Sequence, residues 1–348
     1  RMTLCRDLVK LPKAELHIHL EGSMRRETLI YLCNKYSIEV PPDTRGKRFD
    51  DFTAFANVYI AACDCLREES DLQQLVLEVA QDAAGSGARW IELALSMLSF
   101  CAEKFGGKEE TLRLLVKAAS AAEKATGVAM GFIVAAERMF PPSQAEELAA
   151  LVRKCAMSDD MKICGRQAII GFGLHGKEEG FPPVPFADAF SLACEGTGIA
   201  SVPHAGEIAP HPGLGSKSVL DAIYLLKAKR IAHGILGADD DEVLQVLKKD
   251  HICLDICPTS NFLLRVVRSL SSHPLPRLCR QGVSCTINSD DSLLFGCNLV
   301  EEYTLCRDEL RMSDDELAHC ARNSFRYSCA PVNIIDRGLA DIDEWLTK

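Results

Sequence analysis

The chain alternates short apolar runs with longer segments of helical periodicity, and this alternation is the strongest constraint on its fold. The short runs are almost continuously apolar, which is typical of strands in a parallel sheet that is covered by helices. The predicted strands occupy residues 14–20, 90–96, 128–136, 168–174, 200–204, 230–233, 252–256 and 284–288. Eight strand and helix units in 348 residues predict an α/β fold, a closed (β/α)₈ TIM barrel.

Two segments exceed the minimal barrel. The first strand-to-strand connection has roughly 70 residues where a typical unit takes about 30, so extra helices are expected there. One of them, residues 52–65, carries Phe52, Phe55 and Tyr59 at helical spacing. This stripe indicates core packing or a lid over the barrel mouth. Residues 312–348 predict a helical extension at the bottom or side of the barrel, and with no linker visible we expect a single barrel domain, residues 1–348.

Composition narrows the classes of partner. The formal net charge of −10 argues against a nucleic-acid backbone as ligand. No apolar run reaches the roughly 18 residues of a membrane span, and the first residues lack the apolar core of a signal peptide. Sixteen scattered cysteines indicate reduced thiols and a cytoplasmic location. A small molecule is therefore the expected ligand.

Polar residues lie at or just after the ends of four of the predicted strands. They are His17, His19, His204, Glu207, His233, Asp290 and Asp291. A single histidine in such a place is usually a hydrogen-bonded core residue. However, active sites of TIM barrels lie at the carboxyl ends of the strands, so we expect these side chains to converge there.

Part of this set has the composition of a metal site. Three imidazoles and one carboxylate suit a single zinc ion with a position left for water, and we predict His17, His19, His204 and Asp290 as its ligands. The predicted fourth strand, AIIGFGL, contains no lysine, so no carboxylated lysine can bridge two ions. One zinc ion per chain is expected.

The remaining polar residues suit hydrolysis. A bound divalent ion lowers the pKa of its water. His233 would take the water's proton or hold the oxygen in line, and Glu207 would donate a proton to the electrophile. Asp291 is placed to hydrogen-bond the substrate. We also expect Asn261 to orient neighbouring groups and His273 to have a structural or surface role.

Five motifs together resemble the adenosine and adenine deaminases of the metal-dependent amidohydrolase superfamily. They are LPKAELHIHLEGS at 11–23, SVPHAGE at 201–207, RIAHG at 230–234, CPTSN at 257–261 and NSDD at 288–291. The resemblance implies attack of water at C6 of a 6-aminopurine with loss of ammonia, and it counts Asp290 among the catalytic residues. It further implies that Glu207 protonates N1, Asp291 accepts a hydrogen bond at N7, and the Gly176 N–H binds N3.

The resemblance also implies sugar contacts. Glu21 stands where many adenosine deaminases carry an aspartate, Ser96 where the family often has a ribose-facing serine, and His19 belongs with the substrate contacts. Glutamate at position 21 is common in the adenine-specific relatives and would shorten the space for a sugar, so the signs conflict. The resemblance narrowly favours adenosine and deoxyadenosine, with adenine or a modified adenine nucleoside as alternatives. A related phosphoesterase would need cations at the strand ends, where Lys177 alone is near, and an inactive binding relative would have lost one of the site residues.

Overall fold

The computed structural model describes residues 6–209 and 211–348, and the predicted barrel is present in them. Each barrel strand lies within a few residues of its predicted position, apart from an interruption in the fifth. The strands are β1 Lys13–His19, β2 Ala88–Leu95, β3 Ala129–Glu137, β4 Ile169–His175, β5 Ala200–Ser201 with His204–Ala205, β6 Arg230–His233, β7 Cys253–Ile256 and β8 Cys285–Ile287.

The barrel closes between its first and last strands. The N–H of His19 donates to the carbonyl of Asp290 at 3.0 Å, and the N–H of Asp290 donates to the carbonyl of His17 at 3.2 Å. The fifth strand is interrupted because Pro203 has no N–H to donate, although its carbonyl still accepts from Ala232 at 3.1 Å. Closure brings β1, β5, β6 and β8 around one axis.

Helices cover the outside of the barrel. They are α1 Arg26–Tyr36, α2 Phe52–Asp64, α3 Glu69–Gly85, α4 Met97–Phe100, α5 Lys108–Thr126, α6 Pro142–Ala156, α7 Ala187–Cys194, α8 Pro212–Tyr224, α9 Asp241–Lys249, α10 Pro258–Leu263, α11 Leu275–Arg280, α12 Ser292–Phe295, α13 Leu299–Asp308, α14 Asp314–Arg326 and α15 Val332–Thr347. As predicted, α1 and α2 are extra helices between β1 and the first barrel helix, α3. Within the described residues, no helix is both long and apolar enough to cross a bilayer.

The C-terminal extension, α14 and α15, closes the amino-terminal end of the barrel. The Ser324 hydroxyl accepts the N–H of Ala14 at 2.9 Å, and the Asn323 side chain donates to the carbonyl of Cys285 at 3.1 Å. Ala14 and Cys285 lie at the starts of β1 and β8. The opposite end of the barrel therefore remains available for a site.

Candidate active site

Four strand ends bring the predicted metal ligands together. His17 Nε2 lies 3.1 Å from His204 Nε2. Asp290 Oδ1 lies 3.4 Å from His17 Nε2 and 3.2 Å from His19 Nε2. All four side chains are buried. The ring nitrogens of the three histidines and the Asp290 carboxylate form a compact donor set of three nitrogens and one oxygen, which suits a zinc-like ion.

A hydrogen bond at Nδ1 of His17 explains why its other ring nitrogen, Nε2, faces the cluster of predicted ligands. His17 Nδ1 lies 3.0 Å from the carbonyl of Asp255, to which it can donate. The lone pair is then left on Nε2, as in metal-binding histidines that are oriented by a carbonyl. Burial and the neighbouring imidazoles lower the pKa of His204 well below its usual value, which favours the neutral ring that binds metals.

Cys257 is a competing candidate ligand, because it groups with His17 and His233. Its sulfur, however, lies 3.3 Å from His17 Nδ1, the nitrogen on the side away from Asp290 and His204. Burial also raises the pKa of the Cys257 thiol well above its usual value, which disfavours the thiolate that metals bind. The geometry therefore favours the histidine and aspartate set.

Two site residues have left-handed backbones, His233 as the last residue of β6 and Asp290 three residues after β8. His233 has φ 64° and Asp290 has φ 64°, values that are uncommon for residues with side chains. Such conformations cost free energy and cluster at functional sites. Here they turn both side chains toward the barrel axis, where His233 Nε2 lies 3.4 Å from Glu207 Oε1 and 3.8 Å from Asp290 Oδ2.

Glu207 is held by a residue that the sequence analysis missed. The Glu178 carboxylate accepts the N–H groups of Gly206, Glu207 and Ile208 at 2.7, 2.9 and 3.0 Å. Burial raises the pKa of Glu207 to about 8, and the charges of Asp290 and Glu178 add to that rise. Glu207 is therefore protonated at neutral pH and can donate. Glu178 stands two residues after Gly176, close to the end of β4. An acidic side chain so near a strand end could have been recognised from the sequence as a candidate site residue.

Asp291 approaches the site because Gly22 has no side chain. A Cβ on Gly22 would lie 1.6 Å from Asp291 Oδ1. That oxygen is buried and has no hydrogen-bond partner within the described residues. Burial and the neighbouring charge of Asp290 raise the pKa of Asp291 well above its usual value. Asp291 is thus a buried carboxyl group that can donate a hydrogen bond.

These groups lie at one end of a cavity of about 230 Å³. Its polar end contains His19, His204, Glu207, His233, Asp290 and Asp291. Its other walls are formed by Phe52, Phe55, Ala56, Tyr59, Ile60, Ser96, Phe100, Glu137, Met139, Phe140, His175 and Gly176. No lysine or arginine lines the cavity within the described part of the chain, and Lys177 is not part of its wall.

The aromatic stripe of α2 forms the roof of the cavity. Phe55 and Tyr59 line it, while Phe55 also stacks on Phe295 with ring centroids 5.5 Å apart. Both predicted roles of the stripe therefore describe the same helix face, which packs on the core and covers the barrel mouth.

Glu21 does not line the cavity. Its carboxylate accepts the hydroxyl of Tyr59 at 2.9 Å and the N–H of Met97 at 2.5 Å. Both carboxylate oxygens of Glu21 are therefore engaged by other groups of the protein. Ser96, in contrast, does line the cavity, and its hydroxyl lies 2.8 Å from His175 Nδ1.

The predicted N3 donor, Gly176, also lines the cavity. Its φ of 88° is easily adopted only by glycine, and a Cβ there would lie 3.0 Å from Glu137 Oε2. Glu137 ends β3 and His175 ends β4, so the strand-end rule used for the other residues could have found both. Burial raises the pKa of Glu137 to about 7. Glu137 Oε1 has no partner among the described residues.

Comparison with known proteins agrees with this geometry. Residues 12–345 match the family model described as adenosine deaminase. An aminodeoxyfutalosine deaminase of Streptomyces avermitilis is 34% identical over 340 residues, covering 96% of this chain and 91% of that protein. An adenine deaminase of Ectopseudomonas mendocina is 32% identical over 319 residues, covering 90% of this chain and 96% of that protein. The crystal structure of an adenine deaminase from Arthrobacter aurescens superposes with a TM-score of 0.85 at 28% identity, covering 97% of this chain and 99% of that one.

Proposed function

Because the chain belongs to the adenosine deaminase family, we propose that it hydrolyses the C6 amino group of adenosine and 2′-deoxyadenosine, giving inosine or 2′-deoxyinosine and ammonia. The observation that carries this proposal is the convergence of a three-histidine and aspartate donor set with a protonated glutamic acid in one buried cavity. His17, His19, His204 and Asp290 would hold one zinc ion. When bound, that ion would supply Lewis acidity that lowers the pKa of a water.

The chain's own residues supply the remaining chemistry. Glu207 gives a proton to ring N1, which makes C6 more electrophilic, and the Gly176 N–H donates to N3. His233 Nε2 holds the attacking oxygen in line. The direction of the hydrogen bond expected between Asp291 and N7 is reversed, because N7 of a 6-aminopurine carries a lone pair and no hydrogen and can only accept. Asp291, with its raised pKa, donates to N7 as the neutral acid.

The cavity wall supports a neutral nucleoside as substrate. A 5′-phosphate would meet no cation there, since no lysine or arginine lines the described wall, and it would meet the acidic Glu137. Free adenine has no sugar to contact the apolar side chains that line the cavity away from the proposed metal ligands. Among these, Phe100, Met139 and Phe140 favour a second candidate, an adenine nucleoside with an apolar substituent on its sugar.

We further propose that residues 1–348 act as one barrel domain, an assignment supported by the pairing of the first strand with the last. Every cysteine at a described position is a free thiol. This supports the proposed cytoplasmic location, because cytosolic thiols are kept reduced.

The test is an ultraviolet absorbance assay of the purified, zinc-loaded protein with adenosine, 2′-deoxyadenosine, adenine and AMP at equal concentrations. We expect turnover of both nucleosides and at least about 100-fold lower kcat/KM for AMP, since an uncompensated buried charge costs several kcal/mol. Turnover of adenine alone would replace the nucleoside assignment with adenine deamination. Absence of turnover on all four, with zinc bound, would contradict the proposal for unmodified substrates.

A further inference from the structure

His273 is a buried histidine outside the cavity that begins a chain of hydrogen bonds ending at His233. Its Nδ1 accepts the N–H of Leu275 at 3.2 Å. Its Nε2 lies 3.2 Å from Asn261 Oδ1, and Asn261 Nδ2 lies 3.1 Å from His233 Nδ1. All three side chains are buried. The chain thus connects a loop before α11 to the active-site edge of β6.

The backbone N–H of Leu275 fixes the direction of these hydrogen bonds. A backbone N–H only donates, so Nδ1 of His273 is an acceptor. A neutral imidazole has one N–H, which must then lie on Nε2 of His273. Burial lowers the pKa of His273 to about 4, which keeps this ring neutral at neutral pH.

The side-chain amide of Asn261 then sets the direction of the hydrogen bond to His233 in the active site. Because His273 Nε2 donates, the facing atom of Asn261 is its carbonyl oxygen, and the amide nitrogen must point at His233. That nitrogen donates, so His233 Nδ1 is an acceptor. The hydrogen of a neutral His233 is left on Nε2, the atom that faces Glu207 and Asp290.

We propose that His273, acting through Asn261, sets the tautomer of His233 so that Nε2 enters the reaction as a hydrogen-bond donor. His273 and Asn261 are positioning residues, because neither lines the cavity. Of the two roles that the sequence allowed for His233, this geometry selects holding the attacking oxygen over taking its proton. The tautomer assignment stands on the hydrogen bonds alone, whereas its catalytic consequence rests on the proposed function.

The direct test is ¹⁵N NMR of the histidine rings in the zinc-loaded enzyme, where protonated and unprotonated ring nitrogens have well-separated shifts. The signals of His233 are assigned by their loss in His233→Asn. We expect Nε2 to be protonated in the wild type and Nδ1 to be protonated in Asn261→Asp, whose carboxylate can only accept. Protonated Nδ1 in the wild type, or an unchanged tautomer in Asn261→Asp, overturns the proposal.

Kinetics then test the consequence. We expect Asn261→Asp to lower kcat by about 10²–10³-fold with KM and zinc content nearly unchanged, because a His233 ring without a hydrogen on Nε2 no longer donates to the attacking oxygen. His273→Gln keeps a side-chain N–H donor for Asn261 and should stay within about threefold of wild type, whereas His273→Leu should lose about tenfold. Equal losses in the Gln and Leu variants would indicate a packing role and overturn the relay. Asn34→Asp on exposed α1 makes the same chemical change away from the site and serves as the control.

The two proposals fail in different ways. A protein with the expected His233 tautomer but no activity on any purine would retain the relay and remove the proposed function. Deaminase activity with the opposite tautomer would retain the function and remove the relay.

Discussion

The Glu178 carboxylate accepts the backbone N–H of Glu207 at 2.9 Å, and it also accepts the N–H groups of the residues on either side. One acidic side chain from the loop after β4 thereby fixes the main chain of the proposed general acid after β5. The same carboxylate is one of the charges that raise the pKa of Glu207, together with burial and Asp290. Glu178 therefore fixes the main chain at Glu207 and contributes, after burial and Asp290, to its raised pKa.

Replacing Glu178 with Gln should reduce kcat by about 10- to 100-fold without loss of zinc, because a neutral amide cannot accept three N–H groups as well as a carboxylate does. The pH above which activity declines should also move downward, since a negative charge next to Glu207 is removed. Steady-state kinetics across pH measure both effects. Glu179→Gln, at the exposed neighbouring position, is the matched control and should match wild type.

Glu207→Gln should retain its zinc and lose about 10²–10⁴-fold in kcat, the usual contribution of a positioned general acid. The amide has nearly the same shape but no transferable carboxyl proton. Metal analysis and kinetics on the same preparation test the retention of zinc and the loss of kcat. Unchanged turnover would remove Glu207 from the acid role.

Activity should fall as pH rises through the pKa of Glu207, which burial raises to about 8. The proton is present below that pKa and absent above it, and a bound cation would move the limb to a lower pH. The contribution of Glu207 to the free energy of unfolding should also fall as pH rises. The ordinary pKa of a glutamate is 4.5, so ionisation at higher pH favours the unfolded chain until the folded pKa is passed. A profile of kcat against pH that stays flat up to pH values above about 8 would contradict the assignment.

Asp290→Ala should lose its zinc, whereas Cys257→Ser should keep it. Asp290 faces the inner nitrogens of two histidines, while Cys257 faces the outer nitrogen of His17. Zinc per chain, measured after dialysis against metal-free buffer, separates the two donor sets. Zinc loss in the cysteine variant instead would assign the ion to the other side of His17.

Gly22→Ala should displace Asp291 and lower kcat/KM for adenosine by at least about tenfold with zinc retained, because the new methyl group would overlap a carboxylate oxygen at 1.6 Å. Gly85→Ala introduces the same methyl group at the end of α3, where no atom lies within 4 Å, and should leave activity unchanged. Wild-type kinetics in Gly22→Ala would show that Asp291 is not required at its present position.

The sequence by itself determined the barrel, the extra helices, the C-terminal closure and the positions of the predicted ligands. The reason is that apolar periodicity defines strands and helices locally, and parallel strands place their carboxyl ends at one edge of the barrel. His17, His204 and Asp290 could therefore be grouped although they are far apart in the chain. The same rule, applied to β3 and β4, would have added Glu137 and His175.

Only the tertiary structure decided how loop side chains pair. Glu21 bonds to Tyr59 from α2, Glu178 reaches the loop after β5, and His273 reaches His233 through Asn261. Each pairing depends on the path of a loop or an inserted helix, which no local periodicity encodes. Their protonation states were likewise decided by burial, because removal from water and the charges of neighbours, rather than residue type, set the pKa of a buried carboxyl or imidazole.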